Sequence, residues 1–196
     1  MSESDSAAAT FGWIGERFGA VVAGVIDWDA ATPVPQWQAR DVVSHLTEWI
    51  HGLLSGGGVT GLTEGPSVAD DPVAAWTHRA AEISALLDGE AAGASPTMFS
   101  NPHMGVLPLA EAIDRFYTPD VFMHTWDLAA ASGQELPEDQ RSLDYAASLL
   151  AGMEEIEQML RDSGQFGPRR PVDPDAGILD RLAAFIGRTP TWTPRP

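Results

Sequence analysis

Apolar residues in this chain recur every three or four positions, segment after segment, and almost nowhere alternate as they would along a strand. That period leaves helices packing on helices as the architecture. Phe11, Ile14, Phe18, Val21, Val22 and Val25 make one stripe and predict a helix over 11–26, capped by Thr10. Residues 1–9, small and polar, read as a frayed tail. A second helix over 39–54 places Val42, His45, Leu46, Trp49 and Leu53 on one face. It stops at Ser55-Gly56-Gly57-Gly58, which opens a glycine-rich loop over 55–70 with freedom to move. Asp70 or Asp71 caps a third helix that begins at Pro72 and turns Val73, Trp76, Ala80, Ile83 and Leu87 inward.

Residues 89–108 lack clear periodicity. They read as the long crossover connection of a bundle, or as a short strand or hairpin around 97–106. A fourth helical region over 109–132 is interrupted at Pro119, either as a fresh cap and first turn or as a kink, and Gly133 ends it. A fifth helix over 138–163 has Leu143, Ala147, Leu150, Met153, Ile156 and Leu160 facing in, and a short helix over 175–186 closes the chain. The expectation is an all-α fold, a four-helix bundle with additional helices. At 196 residues it forms a single domain, with 164–196 as a C-terminal extension packed on the bundle.

Composition narrows the chemistry. There are 28 acidic residues against 11 basic ones, all arginine, for a formal net charge of −17. A surface so negative repels phosphate backbones and anionic headgroups, which argues against nucleic acid and membrane partners. No apolar run approaches the roughly 20 residues of a membrane span. The first residues lack the basic patch and long apolar run of a secretory signal, so a cytoplasmic location is expected. Cysteine is absent, so a metal could be held only by histidine and carboxylate.

The stretch YTPDVFMHTWDLAAASG at 117–133 carries the chemistry. Asp120 and His124, four apart, share one helix face, and Asp127 leans toward the same side. An aspartate and a histidine so placed can occupy two corners of a divalent metal, and His45 on the second helix is the best candidate for a third. Three protein ligands plus an open position is the usual plan of a catalytic zinc. Such an ion lowers the pKa of bound water or stabilises a thiolate. Asp127 suits a role behind the ligands, fixing an imidazole or taking a proton. Glu48, three residues after His45, has an equal claim to be ligand, base or support. Pairs at this spacing are also common by chance, and Asp120 can equally be a first-turn carboxylate facing the helix dipole.

The patterns WQARDVVSHLTEW at 37–49 and DVFMHTWDLAAASG at 120–133 resemble the DinB-like family. The nearest branch holds the mycothiol-dependent maleylpyruvate isomerases and related actinobacterial metal-binding proteins. The tail SGQFGPRRPVDPDAGILDRLAAFIGRTPTW at 163–192 looks like the C-terminal signature of that branch. The resemblance runs from about residue 28 to 192, and only 55–108 adds nothing to it. It implies a DinB-like bundle with a divalent metal, commonly zinc or nickel, held by His45, Asp120 and His124. The mycothiol-dependent isomerases look to use glutamate where this chain has the shorter Asp120.

Two functional classes follow. One is a metal-dependent transferase or isomerase that activates a small thiol, mycothiol in type, against a small electrophile, with Asp127 or Glu48 relaying the proton. The other is a non-catalytic bundle that binds a metal or ligand or docks a partner. A homodimer through exposed helix faces is a reasonable expectation for such bundles. His51 is expected to face solvent, and His78 to sit in a polar part of the third helix. His103 is read as a loop residue with some chance of closing over the site, and Trp126 as a packing residue.

Overall fold

The computed structural model describes residues 6–91, 96–102, 104–173 and 175–194. Helix α1 (Ala7–Ala23) begins one turn earlier than its apolar stripe requires, because the Ser6 hydroxyl accepts the Ala9 N–H at 3.2 Å and supplies the cap expected of Thr10. Residues 6–9 therefore belong to the cap and first turn rather than to a tail. Helix α2 (Ala39–Gly56) starts where the Asp41 carboxylate reaches back to the Gln38 N–H at 2.8 Å. Helix α3 (Pro72–Ala91) is capped by Asp71, whose side chain accepts from the Ala74 N–H at 2.9 Å.

The crossover after α3 carries a hairpin, β1 (Met98–Asn101) against β2 (Gly105–Pro108), antiparallel with Phe99 opposite Leu107. Phe99 is fully buried against the end of α2, and the Ser100 N–H donates to the Gly57 carbonyl at 2.9 Å. His103 lies outside the described residues.

Helix α4 (Leu109–Ala112) runs into a π-turn over Ile113–Tyr117 and then into α5 (Thr118–Ser132). Pro119 therefore lies in the first turn of α5, as one of the two expectations had it, and the helix carries no kink there. The chain widens by one residue just before it, with the Thr118 N–H donating to the Ile113 carbonyl. Helix α6 (Gln140–Glu155) follows, capped by Asp139, and stops at Ile156, which leaves the helical region (φ −117°, ψ 21°) before α7 (Glu157–Asp162). The expected single helix over 138–163 is thus two. Its inward face carries Leu150 and Met153 as expected, but Ala146 is buried in place of Ala147, and Ile156 is exposed. Val73 in α3 is likewise 40% exposed. The last helix is α8 (Ile178–Phe185), which packs on α6.

Helices α1 and α2 each pack against both α3 and α5, so the four form the bundle. Phe11, Ile14, Phe18, Leu46, Ile50, Ile83 and Val121 fill its centre. The structure is the all-α DinB-like bundle that the helical period and the resemblance led one to expect. Among the described residues no helix is long and apolar enough to cross a membrane.

One side chain sets the spacing between the two helices that matter next. Tyr117, at the end of the π-turn and fully buried, donates its hydroxyl to the Leu46 carbonyl of α2 at 2.9 Å. Its ring stacks on Phe11 and Trp49. Burial, reinforced by the charge on Asp120, pushes its pKa far above the usual 10, so it stays a donor. Leu46 neighbours His45 and Tyr117 precedes Asp120 by three, so this bond registers one half of the candidate site against the other.

Candidate metal centre

His45 comes from the middle of α2, and Asp120 and His124 from the first turns of α5. Nε2 of His45 lies 3.0 Å from Oδ2 of Asp120, and Nε2 of His124 lies 3.6 Å from Oδ1 of the same carboxylate. Each of the three residues offers one donor atom, and those atoms lie within 4.8 Å of one another. The spacing expected from sequence is therefore realised: one turn of α5 stacks carboxylate over imidazole, and α2 brings the second imidazole across.

The cluster could hold a small divalent ion. Ligand atoms about 2.0–2.2 Å from a tetrahedral metal stand about 3.3–3.6 Å apart; the two gaps run to different oxygens of Asp120, and the shorter one is a hydrogen bond between His45 and Asp120. The donor set, two imidazole nitrogens and one carboxylate oxygen, suits a borderline metal rather than calcium or magnesium.

Access is one-sided. The His124 side chain is 8% exposed, whereas those of His45 and Asp120 are 28% and 20% exposed. Partly buried aromatic rings flank both imidazoles. Trp37, from the loop before α2, stacks on His124 with ring centres 5.5 Å apart and planes 17° apart. Trp49 lies over His45 at 6.2 Å. Both indoles thus stack on the imidazoles of the cluster. The backbone turns sharply beside Trp37, for Gln36 has φ 70° and is the single non-glycine residue at positive φ among those described.

Behind His124 sits a second carboxylate. Asp127, fully buried, has Oδ2 2.9 Å from Nδ1 of His124. Its other partner is Arg188, which follows α8 and was not singled out in the sequence. Arg188 donates from Nε to Oδ1 at 2.8 Å and from Nη2 to Oδ2 at 2.9 Å. Burial alone would raise the Asp127 pKa, but the hydrogen bonds and charges of His124 and Arg188 outweigh it and hold the carboxyl below the usual 3.8. For His124 burial works downward, yet Asp120 first and Asp127 next outweigh both burial and the opposing Arg188 charge, leaving its pKa above the usual 6.5. No local pattern announces Arg188, since 61 residues separate it from its partner.

Glu48 is not part of this cluster. Its side chain is exposed and lines a cleft of about 420 Å³ with Thr47, His51, Arg79 and the 64–69 loop. His51 does not face open solvent as expected. It is partly buried, with Nε2 2.6 Å from an Arg79 guanidinium nitrogen that can only donate. Arg79 in turn pairs with Glu82, whose carboxylate also accepts from the Thr63 N–H at 2.8 Å. His78, in the polar stretch of α3 expected for it, lies 3.0 Å from the Thr63 hydroxyl. Trp126 is a packing residue, in contact with a small apolar gap shared by Phe122, Leu136 and Leu182.

A family model described as the mycothiol maleylpyruvate isomerase N-terminal domain matches residues 12–129. Two uncharacterized proteins of Mycobacterium tuberculosis, from strains CDC 1551 and H37Rv, are each 31% identical over 160 residues, covering 81% of this chain and 83% of their own length. No solved structure matches the chain. The matched region contains all three donors and Asp127, and ends before Arg188.

Proposed function

The chain belongs to the mycothiol maleylpyruvate isomerase N-terminal domain family, and on that premise we propose that it binds one divalent ion through His45, Asp120 and His124 and uses it to activate a small thiol of the mycothiol type against a small electrophile. The observation that carries this reading is the convergence of three donor atoms from two helices within 4.8 Å, open to solvent on the side of His45 and Asp120. A saturated structural site would have no such open side. Zinc or nickel suits the donor set.

When bound, the ion supplies Lewis-acid chemistry, easing deprotonation of a thiol or polarising a carbonyl at its open position. The protein's residues supply the rest. Asp120 offers one oxygen toward each imidazole, which sets the two rings in a fixed relation. Asp127 suits holding the His124 ring far better than relaying a proton, since it is clamped by Arg188, fully buried and a weak base. Glu48, exposed three residues along α2 from His45, lines the neighbouring cleft with His51 and Arg79 rather than the cluster. Trp37 and Trp49 stack on the faces of the His124 and His45 rings and cover them in part from water.

The test is direct. Metal-loaded protein incubated with mycothiol and a panel of small electrophiles, maleylpyruvate included, should consume free thiol or convert the electrophile faster than buffer with the same metal. Thiol and electrophile both unchanged across the panel would contradict catalysis and leave a metal-binding bundle.

A further inference from the structure

The segment that follows α8 reaches across the molecule to the rear of the centre, and its route is built into the sequence. The chain leaves α8 at Ile186 and turns at Gly187, whose φ of 91° lies in the left-handed region that side chains disfavour. A Cβ there would also lie 3.0 Å from the Gly167 backbone, so the turn is open to glycine and little else. The Arg188 N–H then donates to the Ala183 carbonyl at 2.9 Å, tying the turn to the helix it leaves. This places the guanidinium side-on to Asp127, two parallel bonds in the planar fork that arginine makes and lysine cannot.

We propose that Arg188 is a positioning residue for the metal centre, acting through Asp127 to hold His124 with its Nε2 lone pair turned toward His45 and Asp120. The reasoning is one of donors and acceptors. Arginine can only donate, so both Asp127 oxygens act as acceptors toward it. Oδ2 is shared with Nδ1 of His124, and a carboxylate that only accepts requires the proton to sit on that nitrogen. The neutral ring then has a single lone pair, on Nε2, which is the donor a metal needs. Asp120 competes for the ring proton only from 3.6 Å, against 2.9 Å for Asp127. Remove Arg188 and Asp127 becomes a fully buried charge without its cation, an arrangement a protein interior does not tolerate. Its grip on the imidazole is lost with it. The matched family region ends at residue 129, so this hold comes from outside that region.

The inference rests on the metal-binding reading for its consequence, and its geometry can be tested apart from it. Long-range proton–nitrogen NMR of the metal-free wild-type protein, at a pH where the ring is neutral, should find the His124 proton on Nδ1. Finding it on Nε2 would overturn the proposal, whether or not the protein binds metal. In the metal-bound state, Arg188→Gln should weaken zinc or cobalt affinity roughly 10- to 100-fold, the usual cost of losing a partner behind a ligand, and should shift the visible spectrum of the cobalt form. Arg188→Lys, which keeps the charge and loses the fork, should fall between. An affinity within twofold of wild type in Arg188→Gln would overturn the proposal. Should that variant fail to fold, Arg188→Lys and the wild-type tautomer decide. A wild-type protein that takes up no metal would end the metal reading, and the NMR result would still judge the role of Arg188.

Discussion

Asp139 shows how much a single side chain can hold. It caps α6 by accepting the Ser142 N–H at 3.0 Å and binds Arg17 of α1 at 2.7 Å, fastening the added helix to the bundle. The Ser142 backbone bond first, and then its hydroxyl and Arg17, hold the carboxyl below its usual 3.8. The native state therefore favours the ionised form. The stability this adds is complete above pH 3.8 and is lost as the pH falls through the lower native value. Asp139→Asn should lower the melting temperature at neutral pH, and the gap between variant and wild type should close in melts taken progressively below pH 4. A gap of constant size across that range would contradict the assignment. At this scale the sequence was most informative where two partners lie one turn apart. His124 with Asp120 and with Asp127 could be read from spacing, because an α-helix converts three or four residues into one face. His45 could be named as the best third candidate from its place on a helix, and the resemblance pointed to the same residue. Arg188 and the Arg79–His51 pair could not be read, because side chains 61 and 28 residues from their partners leave no periodic trace. The expectation of a solvent-facing His51 failed for that reason.

Among the elements, the hairpin depends on one glycine. Gly57 ends α2 directly beneath Phe99, and a Cβ there would lie 2.1 Å from the buried Phe99 ring. Neither partner can move cheaply, since Phe99 is held opposite Leu107 and Ser100 is bonded to the Gly57 carbonyl. Gly57→Ala should cost about 1–3 kcal/mol in chemical denaturation, the usual range for forcing extra volume into a packed core. A loss below about 0.5 kcal/mol, the scale of an ordinary surface change, would show that the hairpin is not packed as described. The helices of the bundle were legible because each buries one stripe and that stripe repeats at the helical period. Their ends were less so. Ser6 took the capping role expected of Thr10, and a π-turn over Ile113–Tyr117 precedes Pro119, a local rearrangement that composition does not announce. In α6 Leu150 and Met153 face the core as expected, but alanines run in pairs there, and Ala146 rather than Ala147 meets it. The hairpin was left open beside a plain crossover, since four-residue strands carry too few alternations to separate from a loop.

For the molecule as a whole, two helices contribute the clustered side chains, Tyr117 at the end of the π-turn bonds one helix to the other, and Arg188 of the C-terminal segment pairs with Asp127 behind His124. The −17 net charge surrounds that centre with a field that attracts cations. His45, Asp120 and His124, held together in such a field, form a cluster that could hold a divalent ion. The most direct measurement is the metal content of the protein purified without a histidine tag, by native mass spectrometry, beside that of His124→Ala. Wild type should carry about one divalent ion per chain, and the variant should carry none while keeping the helical signal of the folded bundle. Equal metal in both, or none in wild type after exposure to zinc and nickel, would contradict the centre.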